Sequence, residues 1–167
     1  MKLLVFLFLV AVVRAKIIIE KWEMQVDSKI ADVKHEIKDK TTMSVDAHCL
    51  IDADDIVIHV AAYSKVDGVY NPFVRPDPIH ICKIHEHEDP LVSFIHEEIL
   101  KFGNVTKACP MHKGAYYYLH DFKIDEDKFP VPLPEGEFRV DINASIIEGG
   151  KETHSYNSEL FFKTVKD

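Results

Sequence analysis

The densest run of potential ligand atoms is His80-Ile81-Cys82-Lys83-Ile84-His85-Glu86-His87-Glu88-Asp89. If this segment is extended, His85 and His87 point to one side, a workable arrangement for a metal. Its acidic surroundings, just ahead of a predicted helix, read better as a solvent loop, and no metal is assigned. His96-Glu97 opens like a zinc-protease helix, but Leu100 stands where the second histidine is needed. There is no Gly-x-Ser-x-Gly elbow and no Gly-rich phosphate loop. Carboxylates are plentiful, yet they lie in charge runs typical of a solvated face. We expect no catalytic residue, no cofactor and no enzymatic activity; the chemistry on offer is non-covalent binding.

Other reactive groups point to export. Met1 and Lys2 precede an apolar run, Leu3 to Val13, followed by Val13-Arg14-Ala15. This pattern predicts a secretory signal peptide over 1–15, cleaved after Ala15. As a helix the apolar run would rise only about 16 Å, against the ~30 Å of a hydrocarbon core. The expected location is therefore secreted and extracellular, where cysteines pair. Of Cys49, Cys82 and Cys109, the last two flank one helical excursion and form the better pair. Closing that loop of roughly 28 residues stabilises the fold by about 3.6 kcal/mol on the chain-entropy estimate. Cys49 is left as a buried thiol, an intermolecular partner, or a member of a different pairing. Asn104-Val-Thr106 and Asn143-Ala-Ser145 are sequons, so Asn104 and Asn143 are expected glycosylation sites.

The chain has 20 Lys+Arg against 28 Asp+Glu. Loss of Lys2 and Arg14 takes the net charge from -8 to about -10. Such a chain repels phosphate backbones, so nucleic acid is excluded as a partner, and anionic membrane surfaces offer it nothing.

The elements that must position a binding site read mainly as strands. Residues 17–26 look extended, with Trp22, Met24 and Val26 on one face. Residues 27–40 are charged and read as a loop or poor helix. Val45, Ala47, Cys49 and Ile51 alternate with polar residues, and Ile56, Ile58, Val60 and Ala62 share the face of a next strand. The turn Asp52–Asp55 would make these two a hairpin. Asp67-Gly68 and three X-Pro pairs mark a breaker-rich loop, and His80–Ile84 a short strand. Pro90 opens a helix that Gly103-Asn104 ends, with Leu91, Phe94, Ile95, Ile99 and Phe102 at helical spacing and Glu97, Glu98 and Lys101 opposite. Residues 115–124 form a strand with Tyr116, Tyr118 and Phe122 on one face. Three alternating prolines make Phe129–Pro134 an edge or crossover segment. Phe138, Val140, Ile142, Ala144 and Ile146 then alternate cleanly with polar residues. Gly149-Gly150 turns the chain, and Leu160–Val165 closes it.

Six to eight strands with one inserted helix, about residues 90–103, give an all-β, two-sheet immunoglobulin-like sandwich or β-cup in a single domain, 16–167. Closed sheets would make Ile58, Val60, Phe94, Tyr118 and Val140 plain core. Splayed sheets with the helix across the opening would make them the lining of a pocket, joined by Ile95, Tyr116, Phe138 and Ile142. Pattern alone leaves both open.

Cys109-Pro110-Met-His-Lys-Gly114-Ala-Tyr116-Tyr117 resembles the Cys-Pro-x-x-x-Gly-x-Tyr element of the lipid-recognition domains that include ganglioside-activator and cholesterol-transfer proteins. Phe129-Pro-Val-Pro-Leu-Pro-Glu-Gly136-Glu-Phe138-Arg139-Val140 resembles a second segment of the same group. With Tyr70-Asn-Pro72-Phe73 and Ile81-Cys82-Lys83, the pattern is similar to the arthropod branch that includes the insect CheB chemosensory proteins, over roughly residues 45–145. This resemblance implies a β-cup around an apolar cavity, a Cys82–Cys109 bridge, and secretion for detection of lipid-like cues of the pheromone type. The chain lacks the group's cysteine in the final strand. Two functions follow as expectations. One is a carrier whose partner is a lipid or hydrophobic small molecule. The other is an interaction module docking on a sensory membrane receptor or channel through the Tyr70–Arg75 loop.

Overall fold

The alternating stretches fold as antiparallel strands in two sheets. In the computed structural model, which describes residues 15–105, 109–130 and 133–166, one sheet runs β1 (Ala15–Val26), β9 (Lys151–Lys166), β8 (Gly136–Glu148), β4 (Asp55–Val66), β5 (Val69–Val74), with β6 (Ile79–His80) also paired to β4. The second is smaller: β2 (Ala31–Lys38), β3 (Thr42–Cys49), β7 (Tyr116–Phe122). A 3₁₀ segment, Ile81–Glu86, and α1 (Pro90–Phe102) complete the second layer. The architecture is the expected two-sheet sandwich with one helix. The expected signal segment ahead of Ala15, Thr106 of the first sequon, and Val131 and Pro132 of the proline run lie outside the described residues.

Several elements differ from expectation, each for a local reason. Residues 31–38 are a strand, not a loop or helix. As an edge of the small sheet, β2 exposes Asp32, Lys34, Glu36 and Lys38 and turns only Ala31, Val33 and Ile37 partly inward, which is how edge strands resist further pairing. β5 is a strand despite Pro72, because an edge strand has donors to spare. The short strand expected over His80–Ile84 is confined to Ile79–His80, and residues 81–86 coil into a 3₁₀ turn. β9 begins at Lys151, nine residues before the expected start.

β3 and β4 are not a hairpin, since they belong to different sheets. The acidic run between them supplies acceptors for the crossing. Asp52 Oδ1 accepts from Lys113 N (2.9 Å), Asp54 Oδ2 from Gly149 N (2.9 Å), and Asp55 Oδ1 from both Ile56 N (2.8 Å) and Cys82 N (3.0 Å).

Two bulges decide what faces inward. In β1, Ile19 pairs Phe162 and Lys21 pairs Phe161, leaving Glu20 as an extra residue. Ile17 and Ile19 therefore share a face with Trp22, Met24 and Val26, across a change of parity. In β7, Leu119 pairs Val45 and Phe122 pairs Met43, with Asp121 at φ 54°. Tyr117, Leu119 and Phe122 turn inward, while Tyr116, Tyr118 and His120 turn out. The expected grouping of Phe122 with Tyr116 and Tyr118 fails at this bulge.

Cys82 and Cys109 are bonded, with Cα atoms 5.4 Å apart, and Cys49 is a buried free thiol in contact with Met111. The bridge ties the 3₁₀ segment to the chain beyond α1. Gly103 ends α1 in extended backbone (φ -170°), so its need is space and not a left-handed turn. A Cβ there would lie 2.0 Å from the Tyr118 carbonyl oxygen, where the helix end pairs with β7. Asn104 extends the pairing: its Nδ2 donates to Tyr116 O (3.1 Å) and its Oδ1 accepts from Tyr118 N (2.8 Å).

Gly103→Ala is expected to lower stability by about 1–3 kcal/mol, the usual scale of a forced overpacking, in urea unfolding. Joint replacement of Cys82 and Cys109 by alanine is expected to cost about 2–4 kcal/mol in the same assay.

Candidate functional site

The inner face of the large sheet is mainly apolar, with Ser158 of β9 standing opposite Ile142. By register, Ile56, Ile58, Val60 and Ala62 of β4 stand opposite Ile146, Ala144, Ile142 and Val140 of β8. Phe138, Val140 and Ala144 in turn face Phe162, Leu160 and Tyr156 of β9. Three packed clusters anchor this face to the second layer. Ile146 meets Ile30, Cys49, Met111 and Tyr117; Ile56, Ile58 and Val60 meet Ile79, Ile81, Ile84 and Val92; Ile19, Trp22 and Leu160 meet Met43, Phe122, Ile99 and Phe102.

Burial of this face is uneven. Ile58, Val60, Val140, Ile142, Leu160 and Phe162 all point inward, yet each is only half-buried. Among the described residues only Thr164 has its side chain more than 98% buried. A close-packed domain of this length would fully bury several large aliphatic residues. The strip is thus less completely covered than Phe138 and Ile146 near its two ends.

Ile58, Val60, Val140 and Ile142 of the expected lining therefore share one strip. Phe138 sits at its end, 2% exposed, stacked on Phe162 (5.3 Å between ring centres) and edge-on to Phe73 (5.8 Å). On α1, Ile95 lies one turn from both Val92 and Ile99, on the helix face turned to the strip. Phe94 is on the flank, edge-on to Phe129 at 5.5 Å. Glu98, expected on the polar side with Glu97 and Lys101, is instead 4% exposed and ion-paired to Lys101.

Tyr116 and Tyr118 are placed elsewhere. On the outer face of the small sheet, His48, Tyr116, Tyr118 and His120 form a row of rings with successive centres 4.8, 5.9 and 4.9 Å apart. Asp46 accepts from Tyr116 Oη and lies 2.8 Å from His120 Nε2. The Tyr116 hydroxyl first, and His120 next, hold the Asp46 carboxyl below its ordinary 3.8. A shallow depression of about 320 Å³ lies beside this row, lined by Asp32, Lys34, Asp46, His48 and Tyr116. The sequence missed the row because the parity change at Asp121 is invisible in composition.

Metal-binding arrangements carry little here. Asp55, Cys82 and Cys109 cluster within 4.8 Å, but both sulfurs are spent in the disulfide. His87 Nδ1 accepts from Asp89 N at 3.2 Å, beside the helix start that Asp89 caps. Asn143 is exposed on the outer face of β8, and no helix of the described residues is long and apolar enough to cross a membrane.

Residues 58–140 match the family described as a protein of unknown function, DUF1091. That span runs from the middle of β4 to the strip of β8 and includes both bonded cysteines. No curated protein matches the chain. Among solved structures, a Niemann-Pick type C2 protein from the Japanese carpenter ant aligns over 89% of this chain and 89% of that one, at 13% identity and a TM-score of 0.29. A likeness that loose carries no weight; the two-sheet fold stands on the strand pairing itself.

Tyr116→Phe is expected to let the Asp46 carboxyl rise toward 3.8, followed by carboxyl NMR through an acid titration. The sign follows from a depressed folded-state pKa: the interaction holds above pH 3.8 and is lost as pH falls through the folded value.

Proposed function

We propose that the protein is a binding protein, not an enzyme, and that it carries a lipid or other hydrophobic small molecule between its two sheets. The observation that carries this is the strip Ile58, Val60, Val140 and Ile142: inward-facing, apolar and only half-buried. An isolated apolar wall of this kind has no favourable state in water. A guest that buries about 300 Å² against it would gain about 7.5 kcal/mol at 25 cal/mol per Å² before immobilisation costs. The family match over 58–140 includes Ile58, Val60 and Val140 of the strip and supports a lipid-recognition-like reading.

The same proposal places the carrier outside the cell, after loss of residues 1–15, with glycan on Asn143. The disulfide supports an oxidising compartment. Asn104 is the poorer acceptor, because its carboxamide already pairs with β7. The resemblance to the insect group extends the proposal to lipid-like contact cues.

A second reading rests on the β4–β5 hairpin. Val66, Val69 and Phe73 are 55, 61 and 50% exposed there, beside a depression of about 370 Å³ lined by Tyr63, Pro72, Phe73, Val74 and Arg75. An exposed apolar patch of this kind fits docking on a sensory receptor or channel.

A fluorescent fatty-acid probe is expected to bind at micromolar concentration or below, and Val140→Asp to abolish that binding while the far-UV circular dichroism stays unchanged. Probe fluorescence that fails to rise with the intact protein would reject the carrier reading.

A further inference from the structure

Tyr117 stands on the inward side of β7, 6% exposed, and reaches Ile146 on the opposite sheet. Its hydroxyl is buried without a hydrogen-bond partner among the described residues. Three polar groups of the large sheet have theirs. Trp22 Nε1 donates to Ser158 Oγ at 2.7 Å, Ser155 Oγ to Ala144 O at 3.0 Å, and Thr164 Oγ1 to Pro134 O. An unpaired buried hydroxyl lowers stability, and phenylalanine would fill the same place without that penalty. From Ile146 and Ile56, the residues packed around Tyr117, β8 and β4 lead straight into Ile142, Val140, Ile58 and Val60. Tyr117 thus stands at one end of the half-buried strip.

We infer that the Tyr117 hydroxyl anchors the polar end of the carried molecule, which is therefore a hydrocarbon bearing one uncharged oxygen function, such as an alcohol, ester or carbonyl. This rests on the carrier reading and names its ligand class. The buried residues clustered with Tyr117 are Ile30, Cys49, Ala53, Met111 and Ile146, an apolar setting in which a carboxylate or phosphate brought out of water is costly. Burial pushes both the Tyr117 phenol and the Cys49 thiol up from their ordinary values, so both stay protonated and uncharged at neutral pH. A guest oxygen accepting from the phenol would supply the missing bond while its chain lies along the strip.

The test compares dodecan-1-ol with dodecane on the full secreted protein by displacement of N-phenyl-1-naphthylamine. Tyr117→Phe is expected to bind the alcohol about five- to tenfold more weakly, to bind dodecane as before, and to unfold at no lower temperature. Tyr116→Phe, on the outer face, is expected to change neither affinity. An equal effect of Tyr117→Phe on both probes, or no effect, would overturn the anchor and leave the carrier reading intact. A preference of the unmodified protein for dodecanoate over the alcohol would overturn the uncharged-ligand assignment. Failure of the unmodified protein to bind either probe would overturn both.

Discussion

The large sheet has an apolar inner face five strands wide, and the small sheet offers three strands to cover it. At about 4.8 Å per strand the first spans about 19 Å and the second about 10 Å. Water must be kept from the remainder by something else. The 3₁₀ segment and α1 do this, laying Ile81, Ile84 and Val92 over β4. A helix is about 10 Å across and cannot follow the twist of a sheet as another sheet can. The cover is close where the clusters form and less complete over Val140 and Ile142, which belong to none of them. The half-buried strip is a geometric consequence of unequal layers.

The cover must also be held in place, since a short helix over an apolar face could slide or lift. The Cys82–Cys109 bridge fastens one side. Asp55 fixes the start of the 3₁₀ segment through the Cys82 amide and lies 2.7 Å from His80 Nδ1. On the other side Gly103 and Asn104 knit the helix end to β7. These attachments lie around the strip and do not fill it. A cover pinned at its edges can remain separate from the wall beneath without the fold losing its shape.

Much of this frame was legible in residue order. The clean alternation of Phe138 to Ile146, the Pro90 start of α1 and the cysteine pair all declare themselves locally. What stayed hidden depends on pairing. Tyr116 and Tyr118 share a parity with Phe122, and only the extra residue near Asp121 separates them. Residues 31–38 and 151–159 look like loop because edge position or polar exposure removes the apolar signal that marks a strand. Glu98 sits at the border of the apolar stripe of α1, where spacing gives either answer, and its pairing with Lys101 makes burial tolerable. The strip itself could be named from sequence, at Ile58, Val60, Val140 and Ile142. Whether it was core or lining could not, because that turns on the width of a layer built from three distant segments.

The separation of the two layers is most directly tested by a crystal structure of the purified protein under xenon pressure, since xenon enters apolar voids and leaves packed interiors unmarked. Ordered xenon between Val140, Ile142 and the inner side of α1 is the expected result. Side chains of β8 and β4 interlocked with those of α1, with no xenon between them, would contradict the account.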